Sequence, residues 1–202
     1  MDIKDFVNLS FLKAAALDAL MRVRMPVIVG RMAKDHFQDN FRLGGFVNGG
    51  LHRWVESRRL SSGGSSAASR YPTLLSRRNN LFKSINYYPG LYSVRIANDL
   101  PYASVHNWGA DIPVTDRMRR FAWAKFYEAA GRDNKKAKSK RKKKSAPDSK
   151  LINPEASFWK GMALTKKTVI KMPQRQFIGD SRELNDAIAA RLETEIRKIL
   201  YS

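Results

Sequence analysis

The sequence predicts an α+β fold in which a small, mainly antiparallel β-sheet packs against long N-terminal and C-terminal helices. Apolar residues recur at helical spacing near both ends of the chain, and a central stretch alternates apolar and polar residues around a Pro-Gly turn. The chain has 202 residues, of which 43% are hydrophobic, so it can bury a sizeable core. We expect a single domain over residues 1–202, with a helical and basic insertion.

The N-terminal helix is predicted over residues 10–40. Ser10 is the predicted N-cap, because a serine hydroxyl can accept a free backbone N–H at a helix start. Pro26 should kink or divide this helix, since it has no N–H to donate and its ring clashes with the preceding turn. The apolar face is predicted to comprise Leu12, Ala16, Leu20, Val23, Val27, Ile28, Met32 and Phe37.

The best β-hairpin signal lies in the middle of the chain. Residues 86–88 and 92–96 are predicted strands, joined by a turn at Pro89 and Gly90. Side chains alternate between the two faces of a strand, so one face of the second strand should be apolar. The residues predicted on that face are Tyr92, Val94 and Ile96.

The segment after the hairpin is predicted to be a mixture of short elements. Residues 101–113 should form a turn or short helix closed by Gly109, followed by a brief strand. A helix is predicted over residues 116–131, with Thr115 as its cap. Residues 168–172 are predicted to be extended, because the residue before a proline favours extended geometry.

The last element is predicted to be a helix over residues 181–200. Asp180 and Glu183 have the D-x-x-E spacing of a capping box. Apolar residues at helical spacing predict a single stripe that faces the core. Its members are Leu184, Ile188, Leu192, Ile196 and Ile199.

Two stretches differ in composition from the rest of the chain. Residues 58–70 are rich in serine and glycine, which predicts a flexible loop. Residues 132–150 contain ten Lys or Arg and two Asp, so they carry +8 of the net charge of +20 and leave +12 elsewhere. This basicity predicts a polyanionic neighbour, either nucleic acid or acidic protein, with simple solubility as the alternative.

Residues 135–144 form the densest part of this insertion and are called the basic tract. Like charges at this density repel each other, so we expect the free tract to be a disordered loop. It has three interpretations: contact with nucleic-acid phosphates, contact with an acidic protein, or a solvated insertion. The candidate contact residues are Lys135, Lys136, Lys138, Lys140, Arg141, Lys142, Lys143 and Lys144.

No motif in the sequence supports catalysis. The three histidines, His36, His52 and His106, do not have metal-binding spacing, although His106 could meet Asp111. P-loop, dinucleotide-binding and nucleophile-elbow patterns do not occur. The chain has no cysteine, which excludes disulfides and thiolate zinc sites. We therefore expect a protein that is not an enzyme, with no catalytic, metal or cofactor site.

Membrane insertion is also not predicted. No apolar run approaches the roughly 20 residues that span a bilayer. The first twenty residues lack the basic start and small-residue cleavage site of a signal peptide. We expect no membrane contact.

Two further segments, residues 101–113 and 171–181, place large side chains beside glycines or a proline. We expect them to form packed corners of the fold, with Gly109 supplying a positive φ. Trp54 is expected to anchor the loop around it to the body, with a partner interface as the alternative. The side chains expected to pack at these corners are Tyr102, His106, Trp108, Phe177 and Ile178.

Four segments follow one another in a recognisable order: Trp54, LLSRRNNLFKSI (residues 74–85), YASVHNWG (102–109) and RQFIGDS (175–181). This order resembles the tailed-phage virion morphogenesis family, the Mu protein G-like tail-completion and neck proteins. The family's usual R-P-F is R-Q-F here, and residues 117–167 look like an insertion. Residues that match the family motifs are Trp54, Tyr102, His106, Gly109, Arg175, Phe177 and Gly179.

The resemblance implies a structural virion protein of the neck or tail end, assembled in the host cytoplasm. Such proteins form rings, usually hexameric, that complete the tail or join it to the head connector. The implied partners are copies of the chain, neighbouring neck or connector proteins, tail terminator or tube proteins, and packaged DNA. The alternative from the residues themselves is a free-standing basic nucleic-acid-binding protein.

Overall fold

The computed structural model describes residues 2–57, 60, 70–130 and 154–201. Most of the predicted loop at residues 58–70, and the whole insertion at residues 132–150 with its basic tract, lie outside the described residues. The predicted α+β class is confirmed, with long helices near both ends of the chain. In the described part, the strands form three two-stranded antiparallel pairs rather than one continuous sheet.

The N-terminal helical region consists of α1 (Ile3–Ala19), a π-helical turn (Leu20–Arg24) and α2 (Met25–Leu43). The predicted start at Ser10 is wrong, because Asp2 caps α1 and forms a capping box. Ser10 instead lies inside the helix, where its hydroxyl donates back to carbonyl groups of the preceding turn.

Pro26 divides the helical region, as predicted, and the division leaves a carbonyl group available to the central hairpin. A proline has no N–H, so the carbonyl group four residues earlier, on Arg22, lacks its helical partner. This oxygen accepts the backbone N–H of Tyr92 at 3.2 Å. The Tyr92 hydroxyl also donates to the Asp18 carboxylate. The divided helix is therefore where the central hairpin attaches.

A short hairpin that sequence reasoning missed follows α2. It pairs β1 (Gly45–Val47) with β2 (Leu51–Arg53), in the register Phe46 opposite His52. Strands of three residues are too short to produce a clear alternation, so the sequence contains no strand signal here. The turn between the strands contains two glycines with positive φ.

The predicted central hairpin is confirmed, with its turn two residues later than expected. A short helix α3 (Asn80–Lys83) leads into β3 (Ile85–Gly90), which pairs with β4 (Ser93–Asn98). Pro89 and Gly90 belong to β3, and Tyr92 takes the positive φ of the turn. The hairpin packs against α2 at Gly30, where a Cβ would lie 2.4 Å from the Tyr87 ring.

The following segment forms α4 (Ala103–Trp108), the predicted short helix, and β5 (Ala110–Pro113). β5 pairs antiparallel with β6 (Val169–Met172), so the predicted extended segment near residues 168–172 is confirmed. This strand pair brings two parts of the chain together that are about sixty residues apart, with a helical segment between them.

In the described part of the chain, two helices lie between β5 and β6. The predicted cap Thr115 starts α5 (Asp116–Ala129), where its hydroxyl accepts the N–H of Met118 at 3.3 Å. The second helix, α6 (Pro154–Ala163), was not predicted. The two helices pack on each other around a small core of their own: Ala122, Phe126, Ala156 and Ala163.

The closing helix α7 (Arg182–Leu200) confirms the last prediction except at its cap. Ser181, and not Asp180, is the N-cap, and its hydroxyl accepts the N–H of Leu184 at 3.3 Å. Asp180 accepts the side-chain amide of Asn185 instead. Leu184 is buried in the main core, and the rest of the predicted stripe is half-buried.

The main core lies between α2, the hairpins and α7. Phe41 is its centre, with ring centroids 5.4 Å from Trp54 and 5.1 Å from Phe177. Of the predicted apolar face of the N-terminal helix, Leu20 and Phe37 are buried, and Val27, Ile28 and Met32 are half-buried. The prediction is wrong for Val23, which is 56% exposed, and for α1. No residue of α1 is buried, and Leu12 is exposed.

Candidate functional site

Three of the four segments that carry the family resemblance meet at one corner of the subunit. We call it the motif corner and define it as Trp54, residues 102–109 and residues 175–181. The indole N–H of Trp54 donates to the Gln176 carbonyl oxygen at 2.7 Å, across 122 residues of sequence. The backbone N–H of Arg175 donates to the His106 carbonyl oxygen at 2.8 Å. The corner is thus a tertiary structure that no single segment builds.

Arg175 holds the corner to the chain that follows β2. Its side chain is buried, and its Nε donates to the Val55 carbonyl oxygen at 2.7 Å. A terminal guanidinium nitrogen donates to the Glu56 carbonyl oxygen at 3.3 Å. A buried cation needs such partners to offset the loss of water, so this arginine positions backbone rather than a ligand.

Asn107 is the residue of the corner that sequence reasoning missed. Its buried side-chain oxygen accepts the N–H groups of Phe177 and Ile178 at 2.8 and 2.9 Å. Its amide nitrogen donates to the Ile178 carbonyl oxygen at 3.0 Å. The amide therefore acts like an added stretch of backbone, pairing with the N–H groups of Phe177 and Ile178 and with the Ile178 carbonyl group. An asparagine among large apolar residues was the only signal available in the sequence.

Phe177 and Trp54 occupy the positions expected of core anchors. The Phe177 side chain is 1% exposed and that of Trp54 is also buried, so the core interpretation of both is confirmed. Ile178 packs against the same cluster. The motif corner is therefore continuous with the main core.

Gly109 and Gly179 are both closely approached by neighbouring groups. Gly109 has φ +73°, as predicted, and a Cβ there would lie 3.1 Å from the Met172 carbonyl oxygen. A Cβ on Gly179 would lie 1.9 Å from the side-chain nitrogen of Gln176. The local backbone therefore requires glycine at position 109, whereas a side chain at position 179 would displace only the flexible end of Gln176.

The ring of His106 lies at the edge of the corner. Burial, and secondarily the positive charge of Arg175, lower the pKa of His106 below its usual value. Its Nδ1 is buried and makes no hydrogen bond to a described residue. The ring packs edge-on against Tyr102, with centroids 6.1 Å apart. This environment favours the neutral imidazole.

Tyr102 and Trp108 do not pack as the sequence predicted. Tyr102 is exposed, and Trp108 is 64% exposed. Both line an open groove of about 1150 Å³ between the body and the α5–α6 pair. The expectation of a closed corner fails here because the groove separates the helix pair from the segment that bears these rings.

The groove has predominantly apolar walls. Val55 and Leu74 line one part and Phe158, Met162 and Ile170 another. Asp111 and Lys171 also line it, and these two residues are opposite each other in the β5–β6 register. His106 also lines the groove. The sequence suggested that His106 could meet Asp111, and both residues lie in this region.

Two glutamates on α7 make contacts that the sequence did not reveal. The buried carboxylate of Glu195 is within 3.0 Å of Lys198 and Arg191 and 3.5 Å of Arg24. The hydrogen bond from Lys198, followed by these neighbouring charges, lowers the pKa of Glu195. The cluster fixes α7 against the divided N-terminal helix.

Glu183 joins the start of α7 to the β1–β2 turn. Its carboxylate oxygens accept the N–H groups of Gly49 and Gly50 at 3.1 and 2.9 Å. Its own backbone N–H, and then these two glycine N–H groups, lower the pKa of Glu183. The glycine pair thus cradles a carboxylate of the chain itself.

The remaining candidate residues lie apart from one another. His36 is half-buried on α2, where desolvation lowers its pKa, and His52 contacts the Asn48 carbonyl oxygen at 2.9 Å. Within residues 2–57, 60, 70–130 and 154–201, no three His, Asp or Glu side chains are grouped so as to hold a metal ion. All eight candidate contact residues of the basic tract lie outside the described part.

Comparison with protein-family models, curated proteins and solved structures finds no match for this chain. The family resemblance therefore stays a prediction from the motifs. No helix in the described part of the chain is long and apolar enough to cross a membrane.

Proposed function

We propose that this chain is a structural, non-enzymatic virion protein of a tailed phage. It completes the tail end or neck and joins the tail to the head connector. It acts as a ring of copies, and the family resemblance implies six copies. The observation that carries the proposal is the motif corner, in which three of the four matching segments are joined by direct hydrogen bonds.

The chemistry of the corner favours a scaffold over a reaction site. Trp54, Asn107 and Arg175 direct their polar atoms at backbone groups of neighbouring segments. Such contacts fix the shape of a subunit, which is what assembly into a ring requires. Metal-dependent cleavage of nucleic acid or cell wall by the purified chain would contradict this part of the proposal.

Two exposed regions are suited to contacts with neighbouring proteins. The tip of the β3–β4 hairpin presents Leu91 and Tyr92, both more than half exposed. The α5–α6 pair carries the insertion with the basic tract in its connection. We assign the hairpin tip to contact with an adjacent ring, and the basic tract to DNA or an acidic protein surface.

Charge constrains the environment of such a ring. Each chain carries a net charge of +20, so copies held in a closed ring repel one another. Packaged DNA in the channel or acidic neighbouring rings would supply the counter-charge. The basic tract contributes to this attraction in either case.

Deletion of the gene from the encoding phage or prophage tests the proposal directly. We expect filled heads and separate tails in electron micrographs, with joined particles restored by the wild-type gene supplied in trans. Infectious, fully joined particles in the absence of the protein would contradict the proposed role.

A free-standing nucleic-acid-binding protein is the second candidate, favoured by the +12 carried outside residues 132–150. It predicts that the isolated chain binds duplex DNA with a steep salt dependence, of slope about 0.9 per phosphate contacted. Deletion of residues 134–145 separates the two functions. If DNA binding disappears while particles still join, the nucleic-acid role is excluded; if joining fails while tails stay intact, the neck role gains support.

A further inference from the structure

The helix α1 exposes an apolar surface to solvent around most of its circumference. Phe11 is 71% exposed and Ile3 is 79% exposed, and no residue of the helix is buried. A helix that is apolar all round is normally enclosed by other protein or by a membrane. The other large apolar side chains exposed on α1 are Phe6, Val7, Leu9 and Leu12.

This exposure is built into the subunit. The second half of α1 is attached to the body by the hydrogen bonds of Lys13 to the Leu200 carbonyl oxygen and of Tyr92 to Asp18. The first half extends past these attachments. If each of the six large apolar side chains loses roughly 100 Å² on contact, α1 supplies much of the about 800 Å² that each partner buries in a stable interface.

The groove beside the motif corner is a concave surface of matching chemistry. Val55 is 62% exposed, and Trp108 stands beside it with Phe158 and Ile170 in the walls. Its volume of about 1150 Å³ exceeds the roughly 300–1,000 Å³ of small-molecule sites, which favours a polypeptide segment as occupant. An amphipathic or apolar helix laid in an apolar groove is a recurring mode of recognition.

The two surfaces belong to different parts of one subunit. The attachments of α1 are to the end of α7 and to the hairpin tip, neither of which lines the groove. A contact between α1 and the groove of another copy is therefore head-to-tail. Contacts of this kind generate closed rings or open filaments, because each copy keeps one free helix and one free groove.

Charge favours another copy of this chain as the partner of α1. Residues 2–19 contain three Asp and two Lys, a charge of −1, so the rest of the chain carries +21. The helix is thus the least basic long element of a strongly basic protein, and it is attracted to the body of a second copy. The same −1 charge gives it no attraction to an anionic membrane surface.

We propose that α1 of one copy occupies the groove of the next copy and forms the repeating contact between subunits. This inference deepens the proposed ring function. It rests on that function, because the ring is the reason for identical chains to bind one another. Phe6 and Phe11 are the expected anchors on the helix, and Trp108 and Val55 the expected contacts in the groove.

Complementation between two full-length variants tests the contact. The first variant carries Phe6→Glu and Phe11→Glu, which damage the helix and leave the groove intact. The second carries Trp108→Glu, which damages the groove and leaves the helix intact. Light scattering should find each variant monomeric at concentrations where the wild type assembles, with self-association weakened at least 100-fold. Mixed, they should form a one-to-one dimer and nothing larger, because one intact helix and one intact groove remain.

Leu43→Glu is the matched control, since it adds one negative charge at a large, exposed apolar residue away from both surfaces. It should assemble like the wild type. Circular dichroism and thermal unfolding establish that each variant is folded. If the Phe6/Phe11 variant assembles like the wild type, or the mixture stays monomeric, the proposed contact is wrong.

Single cysteines provide a second readout, because the chain has none of its own. Phe6→Cys or Phe11→Cys, mixed with Trp108→Cys or Val55→Cys, should give disulfide-linked mixed dimers at least tenfold above either variant alone. Disulfide-linked homodimers of an α1 variant alone would indicate that α1 pairs with α1. The groove would then not be the binding site of α1. Absence of mixed dimers in all four pairings would also overturn the proposed contact.

The outcomes distinguish this inference from the proposed function. If gene deletion prevents joining of heads and tails but the Phe6/Phe11 variant assembles normally, the virion role stands and the α1 contact falls. If the variants complement as expected but deletion leaves particles intact, the contact stands and the virion role falls.

Discussion

The motif corner and α1 contain similar residues and use them in opposite ways. Phe177 in the corner is 1% exposed, whereas Phe11 on α1 is 71% exposed. The corner joins segments far apart in sequence through buried hydrogen bonds, while α1 is a local element attached only along one half. The difference indicates that apolar residues of the corner stabilise the subunit, and those of α1 are available for assembly.

Replacement of Phe177 by alanine should produce the largest loss of stability and sharpen this comparison. The change leaves a cavity against Phe41 and Trp54, and such truncations cost about 3–5 kcal/mol in the free energy of unfolding. Phe11→Ala, the matched change on α1, should lie within about 0.5 kcal/mol of the wild type in dilute solution. Urea denaturation of both variants measures the contrast, and equal losses would contradict it.

Asn107→Ala should be the next largest effect. In the 177–178 segment it removes the partners of one buried N–H group, on Phe177, and of the partly buried N–H and carbonyl groups of Ile178, at roughly 1–3 kcal/mol for each group left unsatisfied. Relaxation of the segment toward water should limit the total to about 3 kcal/mol. Asn185→Ala, which removes an exposed amide bonded to Asp180, is the control and should cost about 0.5 kcal/mol or less. Similar losses for the two asparagines would mean that the corner is not held by Asn107.

Local patterns were sufficient to predict most helices and the central hairpin. The 3.6-residue spacing of α7, the cap of α5 and the alternation of β4 are properties of neighbouring residues, so the sequence carries them directly. The β1–β2 pair and α6 were missed because they are short, and a short element depends on tertiary contacts more than on its own pattern.

The candidate site was only partly predictable, for a physical reason. Trp54 and Phe177 were correctly assigned to the core, since large apolar residues are usually buried. The role of Asn107 depends on a segment 70 residues away, which no local pattern encodes. The burial predicted for α1 and Trp108 was wrong, because apolar character alone does not distinguish a residue that packs in the subunit from one that is left exposed.

Gly109→Ala should destabilise the corner by a smaller amount. Its φ of +73° and ψ of 163° lie in a region that is essentially restricted to glycine, at a cost of about 1–3 kcal/mol for another residue. Gly161→Ala inside α6 is the control, and its effect on stability should have the opposite sign, because nothing lies within 4 Å of the added Cβ. It should stabilise the chain by about 0.5–1 kcal/mol. If both changes shift the urea midpoint in the same direction, the backbone at Gly109 is not constrained as described.

Acidification should produce the smallest effect and separates the two regions once more, since α1 contains no histidine. Burial lowers the pKa of His106 in the folded state, so the unfolded chain binds more protons as the pH falls through the ordinary value of 6.5. Stability is therefore full above that pH and declines from about pH 7 toward pH 5. His36, whose pKa is also lowered by burial, adds to the decline with the same sign.

Urea denaturation at pH 8, 7, 6 and 5 measures this decline, and His106→Gln isolates the contribution of the corner. The variant should lose part of the pH dependence, and the double variant with His36→Gln most of it, whatever their stability at pH 8. Glu183 and Glu195 have lowered pKa values, so their contribution is lost only in more acidic solution and does not affect this window. A wild-type protein that becomes more stable between pH 7 and pH 5 would show that the His106 ring is charged in the fold and that the corner is open to water.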